Sequence, residues 1–146
     1  MAYTQEDFQE WIFFISDKLD CMTDTFAKEN DLNLDFSIEA LDALEEWMLA
    51  HYSSPQDLIN DPRMLDLLTV YIGETYRRRL GGKWFMDLEN KENAYYSMPI
   101  LKDLHSRRAG SMTPLIDATA SLNRRTGRYM STIFRYKIEL SKESDD

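Results

Sequence analysis

Nucleophilic catalysis needs a thiol or hydroxyl held beside a base, and in this chain the obvious candidates are Cys21, His51 and His105. Cys21 follows an amphipathic stretch and lacks the sequence surroundings of a catalytic thiol, so it reads as a small buried hydrophobe. His51 ends a helical pattern just before Tyr52 and Ser53-Ser54-Pro55, where an imidazole can satisfy the last carbonyls. His105 lies among arginines in a segment with the composition of an exposed loop. Metal chemistry has no better footing: there is no HExxH, no paired cysteine and no EF-hand loop. Gly81-Gly82-Lys83 lacks the spacing and the following Ser/Thr of a phosphate-binding loop. Acid pairs such as Glu45-Glu46, or Asp17 with Asp20, are commonplace among 26 carboxylates. They read as a solvated face rather than a glycosidase-type acid and base. The residues predict a non-catalytic protein with no cofactor and no metal.

One constellation stands apart: Tyr71-Ile72-Gly73-Glu74-Thr75, followed by Gly81-Gly82-Lys83-Trp84. Glycine inside a helix costs about 1 kcal/mol relative to alanine, so Gly73 implies close approach by another part of the chain. Glu74 falls in a helix that is apolar on most sides, where a carboxylate needs a partner. Arg77, Arg78, Arg79, Arg124 or the Trp84 indole N–H are available donors. Glu74 therefore either pins the helix to the hairpin or serves as a pocket acid, and the pinning role is the better fit.

The GE…GGKW pattern, a helix running into a hairpin, resembles a group of small bacterial domains, some of which are encoded near secreted toxins and act as immunity proteins. The stretch TPLIDATASLNRRTG is similar to their C-terminal helix, so that the resemblance spans residues 62–138. It implies a protein partner, namely a toxin domain, and carries over no catalytic residue.

Charge supports a partner of that kind. Residues 1–61 hold fifteen Asp/Glu against Lys18 and Lys28, a balance of −13, whereas residues 62–138 hold fourteen Lys/Arg against seven acids, a balance of +7. A strongly one-signed surface steers and complements an oppositely charged partner. The expected contact is a basic toxin domain, met by Glu39, Asp42, Glu45 and Glu46 on the outer face of a helix. The alternative is nucleic-acid binding through Arg77–Arg79, Arg107, Arg108, Arg124, Arg125 and Arg128, opposed by a net charge of −9. A third possibility is an enzyme of a class without a local signature, and the bland reading of the charge is that the two halves merely neutralise one another.

The elements that must position these residues follow from periodicity. Thr4 and Asp7 form a capping box, and Phe8, Trp11, Ile12, Ile15 and Leu19 repeat on one helical face, with Phe13 and Phe14 widening it. Residues 30–35 read as a loop. Ser37 caps a second helix with Ile38, Leu41, Leu44, Trp47 and Met48 inward. Ser54-Pro55 and Asp61-Pro62 each start a helix, because proline suits the first helical position. The helix from Pro62 to Arg79 is apolar all round, the mark of a central element. Its basic last turn and Gly81-Gly82 end it. A change to period two then predicts a β-hairpin near 83–98, followed by a basic loop over 102–112. Thr113-Pro114 opens a helix ending near Gly127. Residues 128–140 fit both periods, helix being preferred, and 141–146 should fray. The fold class is thus α+β: one predominantly helical domain, with an acidic helical part (1–61), a basic helix-hairpin-helix part (62–138) and one hairpin. The acidic, polar N-terminus predicts neither a secretory signal nor a transit peptide. With no long apolar run and one cysteine, the expected location is the cytoplasm, without membrane contact.

Overall fold

A computed structural model of the protein describes residues 4–105 and 109–142. The chain opens with α1 (Gln5–Phe13), capped by the reciprocal Thr4–Asp7 hydrogen bonds that the sequence predicts. Phe14 breaks the helix before α2 (Ile15–Asp20), which runs through a π-helical turn (Cys21–Phe26) into the short α3 (Ala27–Glu29). Phe13 and Phe14 do not widen the buried face as their pattern predicts; they are 77% and 41% exposed. The break at Phe14 takes this end of α1 off the core, and Phe8 is its one buried residue.

After the loop come α4 (Ile38–His51), α5 (Pro55–Ile59) and α6 (Pro62–Leu80). Ser37 caps α4, and prolines start α5 and α6. Helix α6 is the hub, buried from Leu67 through Tyr76, and α2, α5, both strands, α7 (Pro114–Arg124) and α8 (Tyr129–Lys142) pack on it. Burial on that scale, at roughly 25 cal/mol per Å² of apolar surface, holds the helices together where propensity alone could not. Residues 129–142, whose pattern fits both helix and strand, form α8. The frayed tail predicted for 141–146 lies outside the described residues from position 143 onward.

The fold is helical α+β with a two-stranded antiparallel hairpin, β1 (Gly81–Phe85) and β2 (Ile100–Leu104), in the register Trp84 opposite Leu101. The return strand therefore lies beyond residues 94–98 and occupies the start of the segment that reads as a basic loop. The reason is local. Asp87 accepts hydrogen bonds from Glu89 N, Asn90 N and Asn93 Nδ2, and Asn93 accepts one from Tyr95 N. Asx turns of this kind compete with a ladder for backbone donors, and Pro99 has none to offer. Pairing begins again at Ile100, and Leu101 also bridges to Met112.

Candidate functional site

The Gly73–Glu74–Trp84 constellation is a packing joint. A Cβ on Gly73 would overlap the tip of the Trp84 ring, so glycine is what lets the indole lie on α6. From there Trp84 Nε1–H donates to Glu74 Oε2 at 2.9 Å, and Arg77 approaches the other oxygen at 3.4 Å. Glu74 is buried, and each of its oxygens has one donor. Gly81 (φ 74°) and Gly82 (φ 99°) hold the left-handed backbone that turns the chain into β1, and a Cβ on Gly81 would strike the His105 ring.

A second tryptophan completes this region. Trp11 meets Trp84 edge-on, with centroids 5.0 Å apart. Its Nε1–H donates to Asp66 Oδ1 at 2.7 Å, and Lys18 Nζ holds Asp66 Oδ2 at 2.8 Å. Beside this pair a cleft of about 270 Å³ opens between α1, α6, α7 and the 86–99 segment. Its walls are apolar, with Phe8, Trp11, Leu65, Tyr96, Met98 and Leu115 facing in, and Asp66 at one side. Nothing in the sequence joins these residues, because they come from four separate elements.

The four acids expected to form one partner surface are divided. Glu39 and Glu46 are exposed, and Asp42 is half-buried. Glu45 is fully buried, which corrects its outward placement. Its two oxygens accept from Tyr129 N (3.0 Å) and Met130 N (2.8 Å), the first residues of α8. Position 45 sits at the margin of the apolar arc of α4, and α8 packs over that margin. A carboxylate there satisfies two free N–H groups and sits at the positive end of a helix dipole, which offsets its burial.

The exchange runs both ways. Arg125, a left-handed residue after α7 (φ 55°), donates to Leu49 O (2.9 Å) and Tyr52 O (3.0 Å) at the C-terminal end of α4. Its sequence neighbours gave no hint of this, and it removes Arg125 from the residues free to bind phosphate. Others are also engaged: Arg78 stacks on Phe36 at 3.7 Å and Arg124 on Tyr129 at 5.7 Å. Arg79 and Arg128 are exposed, and Arg107 and Arg108 lie outside the described residues.

The other candidates for chemistry have structural partners. His51 Nδ1 contacts Trp47 O at 2.8 Å while its ring stacks on Trp47, as its position at the helix end predicts. Cys21 is half-buried, with Arg63 Nη2 at 3.5 Å from its sulfur. Among the described residues, no group of three or more His, Cys, Asp or Glu side chains is placed to hold a metal ion. None of their helices is long and apolar enough to cross a membrane. Sequence reasoning missed Asp117, which is buried on α7 with Tyr76 O–H donating to it at 3.1 Å. Burial raises its carboxyl to about 6, against the lowering influence of Tyr76 and of Lys137.

No family model, curated protein or solved structure matches the chain. Its function must therefore be sought in its own residues and geometry.

Proposed function

We propose that this is a non-catalytic binding module that captures a basic protein partner on its acidic N-terminal helices. The observation that carries the reading is that, among the described residues, no ion pair joins an acid of residues 1–61 to a cation of residues 62–138. Among the described residues the ion pairs are Lys18–Asp66, Arg77–Glu74 and Lys142–Glu139. In the one that joins the two halves, the acidic half supplies the cation. Among the described residues, ion pairing between the halves therefore leaves the acids of the N-terminal helices available to a partner. Asp17, Asp20 and Asp24 form an exposed stripe along α2 and the π turn, and Glu39 and Glu46 form another on α4. Phe13 and Phe14, packed edge to face at 5.3 Å, add exposed apolar area beside the first stripe, as a protein contact requires. A toxin domain neutralised by an immunity protein is the partner implied by the resemblance of the GE…GGKW segment, and nucleases of that kind carry the required positive charge.

The test is association kinetics with the protein encoded by the adjacent reading frame. Reversing Asp17, Asp20, Asp24, Glu39 and Glu46 to Lys should preserve the fold and slow capture by about tenfold or more. Raising salt should slow the unmodified protein in the same direction. Failure to bind, or a rate indifferent to both salt and charge, overturns the proposal.

A further inference from the structure

We infer that the cleft between α1, α6, α7 and the 86–99 segment receives one aromatic side chain, of tryptophan type, from a basic segment of the partner. The inference rests on the basic-partner reading above and names where its apolar anchor goes. Four observations lead there. The first is size: at about 270 Å³ the cleft falls below the roughly 300–1,000 Å³ typical of sites that enclose a whole small-molecule ligand. It suits a single large side chain.

The second is lining. Phe8, Trp11 and Tyr96 contribute aromatic rings, and Met86 and Met98 supply adaptable walls, the mixture that accommodates an aromatic guest. The third is a directed acceptor. Asp66 borders the cleft, its side chain is 38% exposed, and each oxygen already holds one donor, Trp11 Nε1 or Lys18 Nζ. A carboxylate has about four acceptor positions, so it is fixed in orientation yet can take an indole N–H. The same α6 carries a precedent, since Glu74 receives the Trp84 indole N–H at 2.9 Å.

The fourth is charge. Lys18 and Asp66 offset each other locally, but α1, which supplies Phe8 and Trp11, also exposes Glu6, Asp7 and Glu10. A guest flanked by Lys or Arg is favoured there, and one flanked by acids is repelled. Buried aromatic anchors inside a charged rim are the usual carriers of binding energy in protein interfaces.

Four five-residue peptides test this: Trp or Ala at the centre, flanked on each side by two Lys/Arg or by two Glu. Binding is followed by methionine-methyl NMR on the whole protein, with Met86 and Met98 as reporters. The basic Trp peptide should shift both methyls saturably, and its Ala counterpart should bind at least tenfold more weakly. Leu115→Trp, which fills the cleft from α7, should weaken the basic Trp peptide at least tenfold at an unchanged melting temperature. Met98→Trp, from the opposite wall, should do the same if the first variant does not fold. If the basic Ala peptide binds as well as the Trp one, or the filled variants bind normally, the cleft is not the anchor site although the acidic surface still attracts cations. If the acidic Trp peptide binds as well as the basic one, flanking charge does not choose the guest and the inference fails, while the charge-reversal kinetics decide the basic-partner reading. No binding by any peptide up to millimolar concentration overturns the inference alone, because the charge-reversal kinetics stand independently.

Discussion

The protein buries a carboxylate at each of two joints, and the two are built differently. At the α6–hairpin joint, Glu74 meets a side chain ten positions away, the Trp84 indole, over a glycine that makes room for it. At the α4–α8 joint, Glu45 meets the bare N–H groups of Tyr129 and Met130, 84 and 85 positions on. In the first, one side chain meets another within a packed joint. In the second, the acid substitutes for a helix cap, and nothing else stands ready to receive those donors. Two buried acids thus differ in what their loss exposes.

The largest effect should come from Glu45→Ala. It leaves two main-chain donors unpaired, at about 1–3 kcal/mol each when buried, and it opens a small cavity. A loss of about 4 kcal/mol in urea unfolding, with fraying of α8 seen by amide exchange, is expected. A loss below about 1 kcal/mol would show that water replaces the carboxylate and erase the contrast.

A third acid sharpens the comparison because its donor is a neutral hydroxyl. Asp117 has its carboxyl raised by burial to about 6 from an ordinary value of 3.8. The folded state therefore favours the protonated acid, so the group's stabilising share is complete below about pH 4 and is lost as pH rises through 6. At 1.36 kcal/mol per pKa unit the swing is roughly 3 kcal/mol. Comparing the wild type with Asp117→Asn between about pH 4 and 7 isolates it. Stability should fall across that range in the wild type relative to the variant, and parallel curves would contradict the assignment.

The smallest of the three should be Gly73→Ala. The added methyl displaces the Trp84 ring and weakens the Glu74 bond, while alanine returns about 1 kcal/mol of helix propensity. A net cost of about 2 kcal/mol in the melting profile is expected, accompanied by a change in tryptophan fluorescence. A stabilised variant would mean the indole moves freely and the joint is looser than Glu45's.

These joints also mark where the sequence was readable. Glu74 was legible because its helix is apolar on every side and its donor follows within three turns. The caps at Thr4, Ser37 and Ser54 were legible for the same reason, since each is settled within four residues. Glu45 was not, because its position on α4 borders the apolar arc, and only the arrival of α8 decides whether that border is wet. Arg125, the Trp11–Asp66 bond and the cleft share this character, being products of packing between distant elements. The second strand was misplaced by the opposite failure. Tyr95 and Tyr96 look strand-like, but the Asp87 and Asn93 turns had already claimed the backbone.

The reciprocal capping of α4 and α8 also bears on synthesis. A ribosome releases α4 long before Arg125 and Tyr129 emerge, so both ends of the exchange wait on residues 76 and 84 positions further on. During that interval Glu45 stays hydrated, and the final carbonyls of α4 bond to water. Pairing across that separation raises the domain's contact order, which slows folding. Chains interrupted before Tyr129 would leave Glu45 without its two donors and α4 without the helix that packs on it, and present a ready substrate for quality-control proteases.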